Sequence, residues 1–510
     1  SFTGAVSLAT NGTDGDISIT NVGQALKLGT VTGNNFVVET DVGDITDSGT
    51  ATISGDASFT TSADEATIDL GTLAVAGDIS LTTHSAGTGG TATIVNRTGI
   101  IFGTSTVAGN LSATATMGSI TQADALTVAG ASTFNTLVSG DDIILDQANA
   151  FAGAVTLQAN SGAGTFGDIT FVDSGDVNLA ASAVAAEDLF IDAGTDGAVG
   201  GNLSVTAGGN ITLETISSTG TVTLKADKAI LDGNGDTNNI TAVNLSTSSK
   251  NGFGAIDAIE TVLTTSFDFH DTGTRGVQLI NSSTGTLTIS GKTVDGDINI
   301  RQSGANGTLS LNNADNDDNV KSGGGKISLT ADKITSKGTV SGFGKVNSGA
   351  GLITLNVNSP KVDIDLGQTG FADSIFKNLI TSAGLTIGSE SNEGTITVTD
   401  PIGIGVGVEG TFSLLSDTDI TTNANIISPI SISLQSTNGN ILVNSLLTSE
   451  GGNIQLQANL GTLSFGVDAG LVSTTGQLSM IAGKGEVIEA AGGMNFSAET
   501  GLFVSNPLSI

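Results

Sequence analysis

The 510 residues include no cysteine, no tryptophan and no tyrosine, only four prolines and only two histidines. Without cysteine there is no disulfide framework, no thiolate metal site and no thiolate nucleophile. His84 and His270 are too few for a multi-histidine metal centre or a supported histidine triad, and both are expected on the surface. The missing Trp and Tyr point to a narrow core without wide gaps, and they remove the usual stacking platforms for sugar rings. Cations are scarce as well. With 50 acidic and 16 basic side chains the net charge is −34, which repels a phosphate backbone and excludes nucleic acid as a partner. No stretch approaches the ~20 consecutive apolar residues of a membrane helix, so no membrane insertion by this segment is expected. The opening Ser1-Phe2-Thr3-Gly4 has neither the basic nor the apolar region of a signal peptide. A chain belonging to something longer is the expectation.

Glycine, by contrast, occurs 72 times, and 38% of residues are hydrophobic against 13% charged. Such a chain is too apolar to stay unfolded. One short phrase recurs: glycine, a small or polar residue, then apolar-polar-apolar. Copies include Gly15-Asp16-Ile17-Ser18-Ile19, Gly77-Asp78-Ile79-Ser80-Leu81, Gly296-Asp297-Ile298-Asn299-Ile300, Gly325-Lys326-Ile327-Ser328-Leu329 and Gly452-Asn453-Ile454-Gln455-Leu456. Alternation of period two marks a strand with one buried face. The preceding glycine predicts positive φ at a tight corner, and the Asp or Asn beside it predicts hydrogen bonds to the turn's free amides.

Gly209 to Gly220, Gly285 to Gly296 and Gly296 to Gly307 are each 11 residues apart, while Gly55 to Gly77 and Gly153 to Gly175 are 22. Elevens, often doubled, fit a solenoid whose coil carries two or three strands. The predicted fold is therefore all-β, a right-handed parallel β-helix with coils of about 22 residues. About 23 such coils, at ~4.8 Å each, make a rod of roughly 110 Å. Tandem β-sandwich domains are the alternative, but the chain shows no period near ~100 residues and no intermodule linkers.

Regular solenoid is expected over 1–225. An irregular insertion or junction comes next over 226–284, then basic-enriched solenoid over 285–356. An irregular segment over 357–383 could form a short helix near Phe371–Ile380, and solenoid resumes over 384–510. Thirteen of the 16 basic residues lie between Lys225 and Lys377. That stretch reads either as a local surface preference or as a contact zone for an acidic partner, a second copy included.

Chemistry is thinly marked. No catalytic, cofactor-binding or metal-binding residue is assigned, and the chain is not expected to be an enzyme. Asp315-Asn316-Asp317-Asp318-Asn319 starts like an oxygen-rich calcium loop, but Val320 stands where glycine is needed. Gly233-Asn234-Gly235-Asp236 matches one unit of a nonapeptide calcium repeat without tandem copies. Both are expected to be acidic turns; calcium stays open as a cofactor. Thr-apolar-Thr triplets such as Thr395-Ile396-Thr397 raise an ice-binding array, which needs threonines in register over many coils. Most neighbouring units place other residues there.

At the level of these phrases, as in Gly201-Asn202-Leu203-Ser204-Val205-Thr206-Ala207-Gly208-Gly209-Asn210-Ile211-Thr212-Leu213, the chain resembles filamentous-haemagglutinin-like exoproteins and autotransporter passengers. The resemblance implies a β-helical shaft exported from a diderm bacterium, displayed outside the cell and used in adhesion. The expected function is a structural or adhesive shaft that extends a binding region or assembles into a surface filament. Its expected partner is a cell-surface or extracellular polymer or protein, with end-to-end or lateral self-association. The alternative is a polysaccharide-active β-helix enzyme, a lyase or glycoside hydrolase.

Overall fold

The computed structural model describes residues 2–10, 15–84, 89–138, 140–153, 155–159, 167, 169–173, 177–179, 192–193, 203–207, 210–213, 216–218, 220–311, 320–336, 345–367, 371–376, 379–483, 487–489, 495–498 and 502–505. It divides into two units, Ser1–Lys250 and Asn251–Ile510. Each is a parallel β-solenoid. The division falls inside 226–284, a stretch that holds the strands Ile240–Ser249, Ile259–Asp271 and Val277–Asn281. A four-residue helix occupies Asp373–Phe376.

In the first unit five-residue straight strands are interspersed with longer bent ones and with pairs of three-residue strands. Straight strands Ile17–Asn21, Phe36–Thr40, Ala57–Thr61 and Asp78–Thr82 stack in parallel on one side. Bent strands such as Leu26–Gly33 and Ile68–Val75 stack on the other. Ile17, Phe36, Ala57 and Ile79 form one buried column at intervals of 19, 21 and 22 residues. Parallel partners one coil apart exclude the sandwich alternative, whose sheets are antiparallel. In the second unit, one column runs through Val277, Ile298, Ile327, Ile353, Leu385, Phe412, Ile432, Ile454 and Leu478. Each of these side chains is at most 1% exposed. A fully buried aliphatic side chain contributes roughly 1.5–3 kcal/mol, so the column is a substantial part of the apolar stabilisation of this unit.

The glycine of the repeated phrase acts by a different route from the predicted positive φ. Gly325 and Gly461 lack left-handed backbone; instead, a Cβ on Gly325 would lie 2.4 Å from the Gly296 carbonyl oxygen, and one on Gly461 would lie 1.9 Å from that of Gly439. Stacked corners approach too closely for any side chain. The Asp or Asn beside the glycine also bonds outside its own turn. Asn35 N donates to Asp16 Oδ1 (3.2 Å), Asp56 N to Asn35 Oδ1 (2.9 Å) and Asp78 N to Asp56 Oδ1 (2.9 Å). The corner side chains thus link each coil to the next.

Polar residues enter the core as well, contrary to a simple apolar-in, polar-out pattern. In the second unit Thr293 donates to the Gly296 carbonyl (2.7 Å), Ser348 to that of Gly351 (2.6 Å) and Ser449 to that of Gly452 (2.8 Å). Each donor is buried. These hydroxyls satisfy corner carbonyls that no strand partner reaches, as buried polar groups require.

Candidate functional site

Coil length varies along the column of the second unit. From Ile298 to Ile327 is 29 residues, to Ile353 a further 26, to Leu385 a further 32 and to Phe412 a further 27; Phe412 to Ile432 takes only 20. The strands keep their register, so surplus residues must leave the coil as loops. Two of these loops, 357–363 and 389–395, come after the strands Ile353–Asn356 and Leu385–Gly388. They are joined by Glu393 N and Gly394 N, both donating to the Pro360 carbonyl (2.7 and 2.9 Å).

A cavity of about 230 Å³ lies between these loops and the outward faces of the coils before them. Arg301, Thr330 and Asn356 form its wall as register neighbours on three successive strands. Asn358 closes one side. Its Oδ1 accepts from Arg301 Nε (2.6 Å) and its Nδ2 donates to the Ser303 carbonyl (2.9 Å), across 57 and 55 residues of sequence. The loop thus folds back over two coils. Asp332 anchors it, accepting from Ser359 N (3.0 Å) and Ser359 Oγ (3.2 Å) while also taking Asn306 N (2.9 Å). On the other side Ser389 and Ser391 line the cavity, their hydroxyls 3.0 Å apart.

Asn392 is the unusual member. It lines the cavity, is 2% exposed, and its Nδ2 donates to the Gly394 carbonyl (3.1 Å), yet its Oδ1 meets no donor. An unsatisfied buried acceptor costs about 1–3 kcal/mol, and this oxygen is closed off from the cavity as well as unmet. Arg301 is exposed and makes no ion pair among the described residues. The cavity therefore offers a guanidinium with free terminal amino groups and several hydroxyls. No carboxylate belongs to its lining.

The motifs weighed from sequence lie elsewhere. His84 Nδ1 sits 2.8 Å from Asp64 Oδ1 with both side chains exposed, and His270 is exposed on Ile259–Asp271. Asp315–Asn319 lies outside the described residues. In the turn containing Gly233 to Asp236, Asn239 Nδ2 donates to Asp232 Oδ1 (2.6 Å) and Asn234 Oδ1 (2.7 Å). Those oxygens are already engaged by an amide. The column through Thr397 reads Asp365, Thr397, Thr421, Leu442, Ser464, so that triplet does not continue into a threonine array.

The corner ladder of the first unit carries one perturbed group. The Asp78 carboxyl is raised above the usual carboxylate range, first by burial and then by the charges of Asp56 and Asp124. Sequence reasoning missed the cavity, whose principal residues Arg301 and Asn392 share no repeated phrase. The only signals near it were the basic enrichment over 285–356 and the irregularity over 357–383.

No helix among the described residues is long and apolar enough to cross a membrane. No curated protein and no solved structure matches the chain. A family described as repeats of unknown function (DUF5649) matches residues 14–71 and 89–158, both within the first unit. The unmatched interval between them spans the straight strand Asp78–Thr82, after which comes a second straight strand, Ala92–Asn96, with no bent strand between. The first matched block opens on Ile17–Asn21, which leads into the eight-residue Leu26–Gly33, whereas the second opens on Ala92–Asn96, which leads into the three-residue Ile100–Phe102. By fold and by internal repetition, the chain is a β-solenoid repeat protein.

Proposed function

We propose that the chain is a structural and adhesive shaft of a large secreted bacterial surface protein. Its task is to extend a binding region away from the cell, or to assemble with other copies into a surface filament. The observation that carries this reading is the parallel column of the second unit, unbroken from Val277 to Leu478. Stacked coils of this kind add length at small cost per residue and need no compact globule. A net charge of −34 supports solubility outside the cell. The resemblance to haemagglutinin-like and autotransporter shafts supports export and surface display, with an extracellular polymer or protein as partner.

Polysaccharide cleavage is the less supported reading. Glycoside hydrolysis by the common route needs two carboxylates flanking the bond, and the cavity lining supplies none. Electron microscopy of the purified chain at rising concentration, with and without calcium, tests the shaft. Elongated unbranched particles are expected, joining into longer fibres if the filament variant holds. Compact particles at every concentration contradict it.

A further inference from the structure

Five asparagines stand directly before a glycine: Asn11, Asn234, Asn251, Asn306 and Asn438. In such a pair the glycine nitrogen can attack the asparagine side-chain carbonyl, because no Cβ on the glycine shields it. Asn11 and Gly12 lie outside the described residues. The other four pairs share one intrinsic chemistry, so what separates them is how the fold holds each glycine.

At three of them the attacking nitrogen is already engaged. Gly252 N donates to Asp271 Oδ1 (2.9 Å) in a buried bond, Gly307 N to the Gly304 carbonyl (2.8 Å) and Gly439 N to the Asp417 carbonyl (3.1 Å). These turns are also crowded. A Cβ on Gly252 would lie 2.7 Å from Ala255 Cβ, one on Gly307 2.5 Å from Gln302 Cγ, and one on Gly439 2.3 Å from the Thr418 carbonyl carbon. Gly235 differs on both counts. Its nitrogen meets no acceptor among the described residues, and it is exposed. No atom beyond its chain neighbours comes within 4 Å of the place a Cβ would take. The carbonyl under attack is assisted too. Asn234 Oδ1 accepts from Asn239 Nδ2 (2.7 Å), a donor placed where negative charge gathers when a nucleophile adds.

We propose that Asn234 is a self-modification site, converting without any enzyme to aspartate and isoaspartate. The Gly235 nitrogen, its proton taken by solvent base, bonds to Asn234 Cγ. The Cγ–Nδ2 bond then breaks and ammonia leaves, closing a cyclic imide. Water adds to either imide carbonyl, and breaking that carbonyl's bond to the Gly235 nitrogen opens the ring. Attack at Cγ gives aspartate, and attack at the main-chain carbonyl gives isoaspartate, whose chain runs through Cβ and Cγ. Either product adds a negative charge between Asp232 and Asp236, and neither reverts to the amide. The turn joins the strands Ile230–Asp232 and Ile240–Ser249, so the change falls outside both and records the age of the chain. The inference does not depend on the shaft reading.

The test is peptide mapping by mass spectrometry of the full chain held at mildly alkaline pH, beside the same chain unfolded in urea. Unfolded, all four sites are expected to gain about one mass unit at similar rates. Folded, Asn234 is expected to convert at least about fivefold faster than Asn306 or Asn438, whose glycines must first release a neutral hydrogen bond. Against Asn251, whose glycine is held by a buried carboxylate, the ratio is expected to reach at least about tenfold. The Asn234 peptide should split into two products of equal mass. Gly235→Ala is expected to slow Asn234 severalfold and leave the other three rates unchanged. Asn306 or Asn438 converting as fast as Asn234 in the folded chain overturns the proposal. So does an Asn234 that stays intact while its unfolded counterpart converts, which would make the Asn239 bond a protection.

Discussion

Asn96 in the first unit and Asn281 in the second meet the same difficulty in the same way, although their surroundings differ. In each case a straight five-residue strand lies on a longer bent one, Ala92–Asn96 on Ile68–Val75 and Val277–Asn281 on Ile259–Asp271. The straight strand runs out before the bend is covered. Asn96 therefore replaces the missing backbone with its side chain, accepting from Val75 N (2.9 Å) and donating to the Val75 carbonyl (2.9 Å). Asn281 does the same for Leu263, at 2.6 and 3.1 Å. Both are fully buried. A carboxamide carries a donating nitrogen beside an accepting carbonyl oxygen, as a peptide unit does, and is the side chain that can imitate it.

The coils stacked above the two asparagines differ. Above Asn96 the column continues with Ala115, Thr136 and Ala159, so Asn96 stands alone. Above Asn281 sits Gln302, whose Oε1 accepts from Asn281 Nδ2 (2.7 Å) and whose Nε2 donates to the Ser283 and Gly285 carbonyls (2.7 and 3.1 Å). A mismatch between coils is thus repaired by one amide, and a second amide is an addition.

The largest effect should come from removing the repair itself. Asn281→Ala strands the buried N–H and carbonyl of Leu263, each worth about 1–3 kcal/mol, whereas Asn96→Ala strands the Val75 N–H alone, because Thr98 Oγ1 also donates to the Val75 carbonyl (2.8 Å). We expect roughly 2–4 kcal/mol lost in urea unfolding for Asn281→Ala and about 1–3 kcal/mol for Asn96→Ala. Faster hydrogen exchange should be confined to the unit that carries the change. Loss in both units from either change would show that the two repairs are not local. Gln302→Ala should cost less, about 1–2 kcal/mol, and sharpen the contrast, because Asn281 keeps its backbone partner. Smaller still is Ser449→Ala, which frees the Gly452 carbonyl from one hydroxyl and should cost about 1 kcal/mol.

The smallest change concerns pH. A carboxyl whose folded pKa is raised favours the folded state below its unfolded pKa, and that contribution fades as pH rises through the folded value. For Asp78, raised by burial and by Asp56 and Asp124, the loss falls at higher pH than an ordinary aspartate would show. Asp78→Asn should therefore raise stability slightly at pH 7 and make no difference near pH 3. Urea melts at both values check the sign.

Much of this fold was legible in the sequence. The phrases at Gly15, Gly77, Gly296, Gly325 and Gly452 each lead into a strand, because period-two alternation is a local signal. The coil-to-coil roles were not legible. Asp16 bonds a residue 19 positions on and Asp56 one 22 positions on, and such partners depend on the length of each coil. Glycine was read as a source of positive φ, whereas the constraint at Gly325 is the corner stacked against it. The cavity was the least visible feature. Arg301 and Asn392 stand 91 positions apart and meet only through loops that the repeat does not describe.

One coil per step is the rule of the second unit's column. Its most direct test uses the absence of cysteine, which gives spin labels a clean background. Ser328, Thr354, Thr386, Ser413, Ser433, Gln455 and Ser479 occupy successive register positions on an outward column. With one label at Ser328→Cys, a second at Ser433→Cys, Gln455→Cys or Ser479→Cys should give distances of about 19, 24 and 29 Å, at ~4.8 Å per coil. Distances that rise by that step support stacked parallel coils. Distances that stay level, or that fall as the second label moves along the chain, contradict them.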